Sequence, residues 1–120
     1  MPKTILVVDD EPDILKILLF RLNKLGYDVI TATNGIEAID AVRDNMPDLI
    51  LLDLMIPVLD GVEVAKRLKS DQDTKDIPII VVTASTHKVA EKAKECQAAD
   101  YITKPFVLDE LVDKIKKLIE

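Results

Sequence analysis

Three carboxylates, a hydroxyl and an ammonium fall where they could act together: Asp9, Asp10, Asp53, Thr83 and Lys104. Asp53 closes the unbroken apolar run Leu49-Ile50-Leu51-Leu52, and Asp9-Asp10 closes Ile5-Leu6-Val7-Val8. Runs of this kind suit strands buried on both faces, so each acid would stand where a central strand leaves its sheet. Thr83 ends a third such run, Ile79-Ile80-Val81-Val82, and Lys104 follows a weaker one, Asp100 to Thr103. Carboxylates gathered at one crevice repel each other, and their pKa values rise unless a cation intervenes. A hard divalent cation is the natural partner. Magnesium takes oxygen ligands, usually one or two carboxylates, and keeps several waters, which leaves room for a phosphate oxygen. Asp53 is the candidate reactive residue. Thr83 could donate to a phosphoryl oxygen or be an ordinary strand-end threonine, and Lys104 could reach that oxygen or pair with a carboxylate. Taken alone, Asp9-Asp10 reads as a solvated strand end or a helix cap; the whole set is what carries specificity.

The elements that must position these groups alternate along the chain. After the first strand, Pro12 suits a first helical turn, with Ile14, Leu15, Leu18, Leu22 and Leu25 at helical spacing and Gly26 as the stop. A weaker strand, about Tyr27 to Ala32, leads to Asn34-Gly35 and a short helix with a buried stripe of Ile36, Ile39 and Val42, ending before Pro47. Beyond Asp53 comes a loop from Leu54 to Leu59. Asp60 then caps a helix with Val64, Ala65 and Leu68 inward, and Ser70 to Asp76 is a solvated connection. Ser85 or Thr86 can cap the next helix, with Val89, Ala90, Ala93 and Cys96 on one face. The last helix carries Leu108, Leu111, Val112, Ile115, Leu118 and Ile119 at helical spacing, with Asp109 and Glu110 in its first turn.

Five strands alternating with five helices predict an α/β, doubly wound parallel sheet joined by right-handed crossovers. The three fully apolar strands belong in the middle and the second and fifth at the edges. The order is then 2-1-3-4-5, a flavodoxin-like arrangement with its binding crevice between the first and third strands. Asp9, Asp10 and Asp53 all fall at that crevice.

Composition narrows the function. A length of 120 residues suits one domain with one core and no second domain. The net charge of −6 and an aromatic content of 3% argue against direct nucleic-acid binding, which needs a basic face or stacking platforms. No apolar run approaches the length of a membrane span, and the first strand begins too early to leave room for a signal peptide, so a cytoplasmic setting away from the membrane is expected. The single cysteine, Cys96, reads as a small core residue. No internal repeat or low-complexity segment is visible.

Four motifs in order resemble the receiver domain of two-component response regulators: Asp9-Asp10-Glu11, Asp53-Leu-Met-Ile-Pro57-Val-Leu-Asp60-Gly61, Val-Thr83-Ala84, and Asp100-Tyr101-Ile-Thr-Lys104-Pro105-Phe106. The resemblance covers essentially the whole chain, 1–120, and is closest in character to single-domain, chemotaxis-type receivers. It implies that Asp53 accepts a phosphoryl group from a histidine kinase or phosphotransfer protein. It implies magnesium held by Asp10, Asp53 and the backbone carbonyl of Met55, with Asp9 assisting through water. Thr83 and Lys104 would contact the phosphoryl group, and Tyr101 would be an aromatic switch. A downstream protein target would then meet the face formed by helix 4, strand 5 and helix 5. The domain would be a switch that assists its own phosphorylation and dephosphorylation, not an enzyme in the usual sense. The resemblance also implies a cis peptide at Lys104-Pro105.

Some residues depart from the pattern. Ile56 and Leu59 stand where methionines are common, and Gln97 stands where a glycine commonly ends the fourth helix. Met55 and Ser85 would influence the dephosphorylation rate. His87, at a predicted helix start, is read as an exposed histidine without a phosphodonor role.

Three other readings compete. A metal-dependent aspartyl-phosphate phosphatase would be expected to carry Asp-x-Asp and a substrate cap, whereas here the acids are adjacent and no insertion is large enough. A flavin- or nucleotide-binding module would want a Gly-rich phosphate loop, and the chain has three scattered glycines, Gly26, Gly35 and Gly61. A phosphorylation-independent adaptor of the same fold would not need the intact acid, hydroxyl and lysine set. The chain is expected to be either a single-domain regulator acting by protein contact or the receiver of a longer one.

Overall fold

The computed structural model describes residues 2–84 and 88–120. Its elements are β1 (Thr4–Val8), α1 (Pro12–Lys24), β2 (Asp28–Ala32), α2 (Gly35–Asn45), β3 (Leu49–Leu52), α3 (Gly61–Ser70), β4 (Ile79–Thr83), α4 (Val89–Glu95), β5 (Asp100–Thr103) and α5 (Leu108–Ile119). All the strands pair in parallel, in the order β2-β1-β3-β4-β5 predicted from strand strength. The reason is visible in the burial. Strands β3 and β4 are buried at every position, while the edge strands β2 and β5 expose part of their length.

Alternation along the central strands divides the interior into two cores. Leu6, Val8, Ile50, Leu52, Ile79 and Val81 face one way, onto Ile39 and Val42 of α2, Val64 and Leu68 of α3, and Ala93 of α4. Ile5, Val7, Leu49, Leu51, Ile80 and Val82 face the other way, onto Leu18 and Leu22 of α1 and Leu111 and Ile115 of α5. Because neighbouring side chains point to opposite faces, both layers are filled by the same short runs. Cys96 lies in the first core as expected, where burial, then the charge of Glu95, pushes its thiol up to about 11. No helix among the described residues is long and apolar enough to cross a membrane.

The cap predicted at Asp60 is found, and Asn34, read from sequence as part of a turn, caps α2 as well. Asn34 accepts from the Glu37 N–H and Asp60 from the Glu63 N–H, at 2.9 and 3.0 Å. The stripe of α2 is corrected: its buried residues are Gly35, Ala38, Ile39 and Val42, and Ile36 is 45% exposed. At 3.6 residues per turn Ile36 lies roughly 110° from the centre of that face. The inward position is Gly35, because a Cβ there would stand 2.1 Å from the Leu59 carbonyl oxygen. This close approach seats the loop that follows β3 against the start of α2. Helix α4 is also narrower than expected, with Ala93 and Cys96 buried, Val89 half-buried and Ala90 exposed. The caps expected at Ser85 or Thr86, the influence expected of Ser85 on dephosphorylation, and the exposed His87 lie outside the described residues.

Gln97, standing where a glycine is common, adopts the left-handed conformation at φ +53°, while the Ala98 N–H closes the helix end onto the Ala93 carbonyl at 2.9 Å. A side chain in that conformation costs about 1–2 kcal/mol, partly offset because glycine loses more backbone entropy on folding. Gln97→Gly should therefore stabilise the protein by up to about 1 kcal/mol. A urea melt checks this; a lower midpoint for the variant would contradict it.

Candidate functional site

The C-terminal ends of β1, β3, β4 and β5 converge on one edge of the sheet. Leu52 pairs with Val8 on one side and Val81 on the other, so Asp9 and Asp53 emerge beside each other. Thr83 ends β4 in register with Thr103 of β5, and the Lys104 N–H donates to the Thr83 carbonyl at 2.8 Å. The Lys104-Pro105 peptide that follows is cis.

Lys104 is the hub. Its Nζ lies 2.7 Å from Asp9 Oδ2, 2.9 Å from Asp53 Oδ2 and 3.0 Å from Glu11 Oε2. The two aspartates are held alike. Each gives one oxygen to Lys104 and the other to the backbone N–H two residues on, Glu11 for Asp9 at 2.9 Å and Met55 for Asp53 at 3.0 Å. These local turns fix each carboxylate at the end of its strand. Asp9, Asp53 and the Lys104 side chain are almost fully buried, at 3%, 5% and 9% exposure. Of the two roles open to Lys104, pairing with carboxylates is the one present here.

The electrostatics follow from burial and this pairing. Burial pushes the Asp9 carboxyl above the ordinary range, against the opposing Lys104 ammonium and Glu11 N–H, and the Asp53 charge adds to the rise. For Lys104, burial alone would lower the pKa, but hydrogen bonds to Asp9, Asp53 and Glu11 outweigh it and leave the value raised. The ammonium is thus the cation that lets two buried acids remain side by side.

Asp10 is exposed, and it places a carboxylate oxygen within 4.8 Å of oxygens from Asp9 and Asp53. Three hard oxygen donors on this scale fit a magnesium ion. Each carboxylate offers about four lone-pair positions, so the bonds to Lys104 and the backbone leave capacity for it. Met55 is beside Asp53 through its N–H, with its side chain exposed. Thr83 is fully buried, and Tyr101, paired with Val81 in register, is 38% exposed on the edge strand. The structure therefore brings Asp9, Asp10, Asp53, Met55, Thr83 and Lys104 to one edge, with Tyr101 farther down β5.

One participant was missed from sequence. Glu11 belongs to the first motif, but nothing local indicated that its side chain reaches Lys104 across the sheet. In the structure Glu11 is the N-cap residue of α1, its side chain makes no capping bond there, and Pro12 follows it.

Comparison with known proteins agrees with this arrangement. The model of the response regulator receiver domain matches residues 5–116. The phosphate regulon transcriptional regulatory protein PhoB of Pseudomonas aeruginosa is 45% identical over 98% of this chain and 52% of its own length. The chain thus spans about half the length of the curated relatives it matches. The response regulator protein TrrA of Thermotoga maritima, solved in complex with Mg(2+)-BeF, has a TM-score of 0.86 and 40% identity over 97% of this chain and 98% of its own. Chemotaxis protein CheY4 of Vibrio cholerae has a TM-score of 0.91 and 28% identity over 98% and 99%. With the family model spanning nearly the whole chain, and solved receivers sharing its fold from end to end, the chain belongs to the receiver domains of two-component response regulators, signalling switches that accept a phosphoryl group on an aspartate.

Proposed function

We propose that Asp53 is the phosphoacceptor and that its donor is a phosphohistidine on a histidine kinase or a phosphotransfer protein. The observation that carries this reading is the position of Asp53, beside the Asp9-Asp10 pair and sharing the ammonium of Lys104 with Asp9. A carboxylate oxygen of Asp53 attacks the phosphorus, the new P–O bond gives an acyl phosphate, and the P–N bond to the donor imidazole breaks; the donor's other ring nitrogen already carries a proton, so the imidazole leaves neutral. Asp10, Asp53 and the Met55 carbonyl would hold magnesium, with Asp9 assisting through water. Bound there, magnesium would supply positive charge against the equatorial phosphoryl oxygens.

The chain's own residues do the rest by position and charge. The Met55 N–H on Asp53 Oδ1 orients the carboxylate, and Lys104, held at the same crevice, can transfer a hydrogen bond to a phosphoryl oxygen. Thr83 would donate its hydroxyl to another. The same groups favour hydrolysis of the acyl phosphate, so the domain assists both its phosphorylation and its dephosphorylation. Tyr101 and the α4-β5-α5 face would pass the state on to a protein target.

With magnesium and acetyl phosphate, the protein should gain one acid-stable, base-labile phosphoryl group on Asp53, and Asp53→Asn should gain none. Intact-mass spectrometry with site mapping decides this. Equal modification of the Asp53→Asn variant would refute the assignment.

A further inference from the structure

The loop that follows Asp53 rests on a helix from another part of the chain. At Gly35, the first residue of α2, a Cβ would stand 2.1 Å from the Leu59 carbonyl oxygen and 2.6 Å from Leu59 Cβ. The Gly35 N–H donates to the Pro57 carbonyl at 3.3 Å, and the Leu59 N–H donates to the same oxygen at 2.8 Å. That second bond closes a three-residue turn on Val58, which lies at φ +73° and is 76% exposed. A β-branched residue in the left-handed region is strained, and such a turn persists only where its surroundings hold it. The contacts at Gly35 are part of that hold.

The helix is anchored more firmly than the turn. Asn34 accepts from the Glu37 N–H and Glu37 Oε1 accepts from the Thr33 N–H, each at 2.9 Å, so α2 begins on a reciprocal cap. Ala38, Ile39 and Val42 then fix it in the core. A methyl group added at Gly35 therefore pushes the turn rather than the helix. The turn passes the displacement on because it is stiff: the Pro57 ring fixes its own φ, restricts Ile56 before it, and precedes a residue already strained. Next to Ile56 is Met55, whose N–H donates to Asp53 Oδ1 at 3.0 Å.

We propose that Gly35 is a positioning residue for the metal site: its missing side chain gives the turn at residues 57–59 its seat on α2, and the turn in turn sets the Met55 peptide beside Asp53. The inference rests on the reading of Asp10, Asp53 and the Met55 carbonyl as magnesium ligands, and it assigns to that site a residue that is itself no ligand. Disturbing a group that holds a metal ligand in place costs about ten- to a hundredfold in affinity.

The test titrates the full chain with magnesium alone and follows backbone amides by NMR. Gly35→Ala should bind magnesium about tenfold more weakly. Gly26→Ala controls for lost stability. Gly26 lies at φ +95° before β2, away from the strand ends that carry the acids, and nothing stands within 4 Å of a Cβ added there. That variant should be less stable yet bind magnesium like the wild type. Adding Val58→Gly to Gly35→Ala lets the turn absorb the displacement and should restore most of the affinity. Wild-type affinity in Gly35→Ala, an equal loss in Gly26→Ala, or no recovery in the double variant would each overturn the proposal, with the reading of the metal site intact. If Gly35→Ala does not fold, the wild type decides: the Gly35 amide should shift with the same midpoint as the Met55 amide while that of Gly26 stays, and a Gly35 amide that stays overturns the proposal. A wild-type protein that binds no magnesium would overturn the reading of the site and this inference with it.

Discussion

Lys104→Met should lower the stability of the metal-free protein by about 3 kcal/mol or more at neutral pH, the usual cost of removing one partner from a buried ion pair. The ammonium lies within 3.0 Å of three carboxylates, two of which are buried. Without it, Asp9 and Asp53 face each other across the crevice with only backbone N–H groups to answer their charge. The loss depends on pH in a definite direction. In the wild type, the raised folded pKa of Lys104 contributes stability that is present below its unfolded value near 10.5 and lost as pH rises through the folded value. In the variant, Asp9, already raised by burial, loses the ammonium that opposes the rise, so stability returns as pH falls toward the unfolded carboxylate value near ~4. Magnesium should also stabilise the variant more than the wild type, since no ammonium shares the oxygens. Urea melts in EDTA at pH 7 and pH 5, and again with magnesium, measure the loss at neutral pH, the recovery at low pH and the magnesium effect. A variant as stable as the wild type at pH 7, or a deficit unchanged at pH 5, would sink the idea that Lys104 is the counter-ion.

The sequence made most of this arrangement readable because the central strands are covered on both sides. A strand such as Leu49–Leu52 has to be apolar at every position, so its end is marked sharply by the first polar residue, Asp53. The same burial orders the sheet: β2 and β5 tolerate exposed residues only because they are edges. The helices were legible in number but less so in orientation. Periodicity admitted Ile36 to the inward stripe of α2, and the contact that excludes it is the approach of Leu59 to Gly35 from a different part of the chain. The departure at Gln97 was visible as an amino-acid type, and its consequence, a left-handed side-chain-bearing residue at a helix end, is a backbone fact. The bond between Glu11 and Lys104 was beyond reach for a third reason. It depends on the rotamer of an exposed side chain, which neither pattern nor propensity determines.

Thr83→Ala should leave phosphorylation of Asp53 largely intact and weaken its transmission to the face formed by α4, β5 and α5. Thr83 is fully buried at the end of β4, and the strand beside it carries Tyr101, half-exposed and paired in register with Val81. A phosphoryl group on Asp53 would draw the Thr83 hydroxyl into a charge-assisted hydrogen bond, and the shift would open space that Tyr101 can enter. Within that face, Lys114 of α5 pairs with the Asp100 carboxylate of β5 at 3.1 Å. A hydrogen bond to a charged group is worth about 1.5–3 kcal/mol, so its loss should reduce the phosphorylation-driven population shift by roughly tenfold or more. Thr83→Ser, which keeps the hydroxyl, should retain the coupling. NMR shift mapping with beryllofluoride reads the outcome. In the wild type and Thr83→Ser, changes should extend from the Asp53 crevice to Tyr101 and α5; in Thr83→Ala they should stay at the crevice. Wild-type changes confined to the crevice, or unaltered spread in Thr83→Ala, would show that the signal does not pass through this hydroxyl.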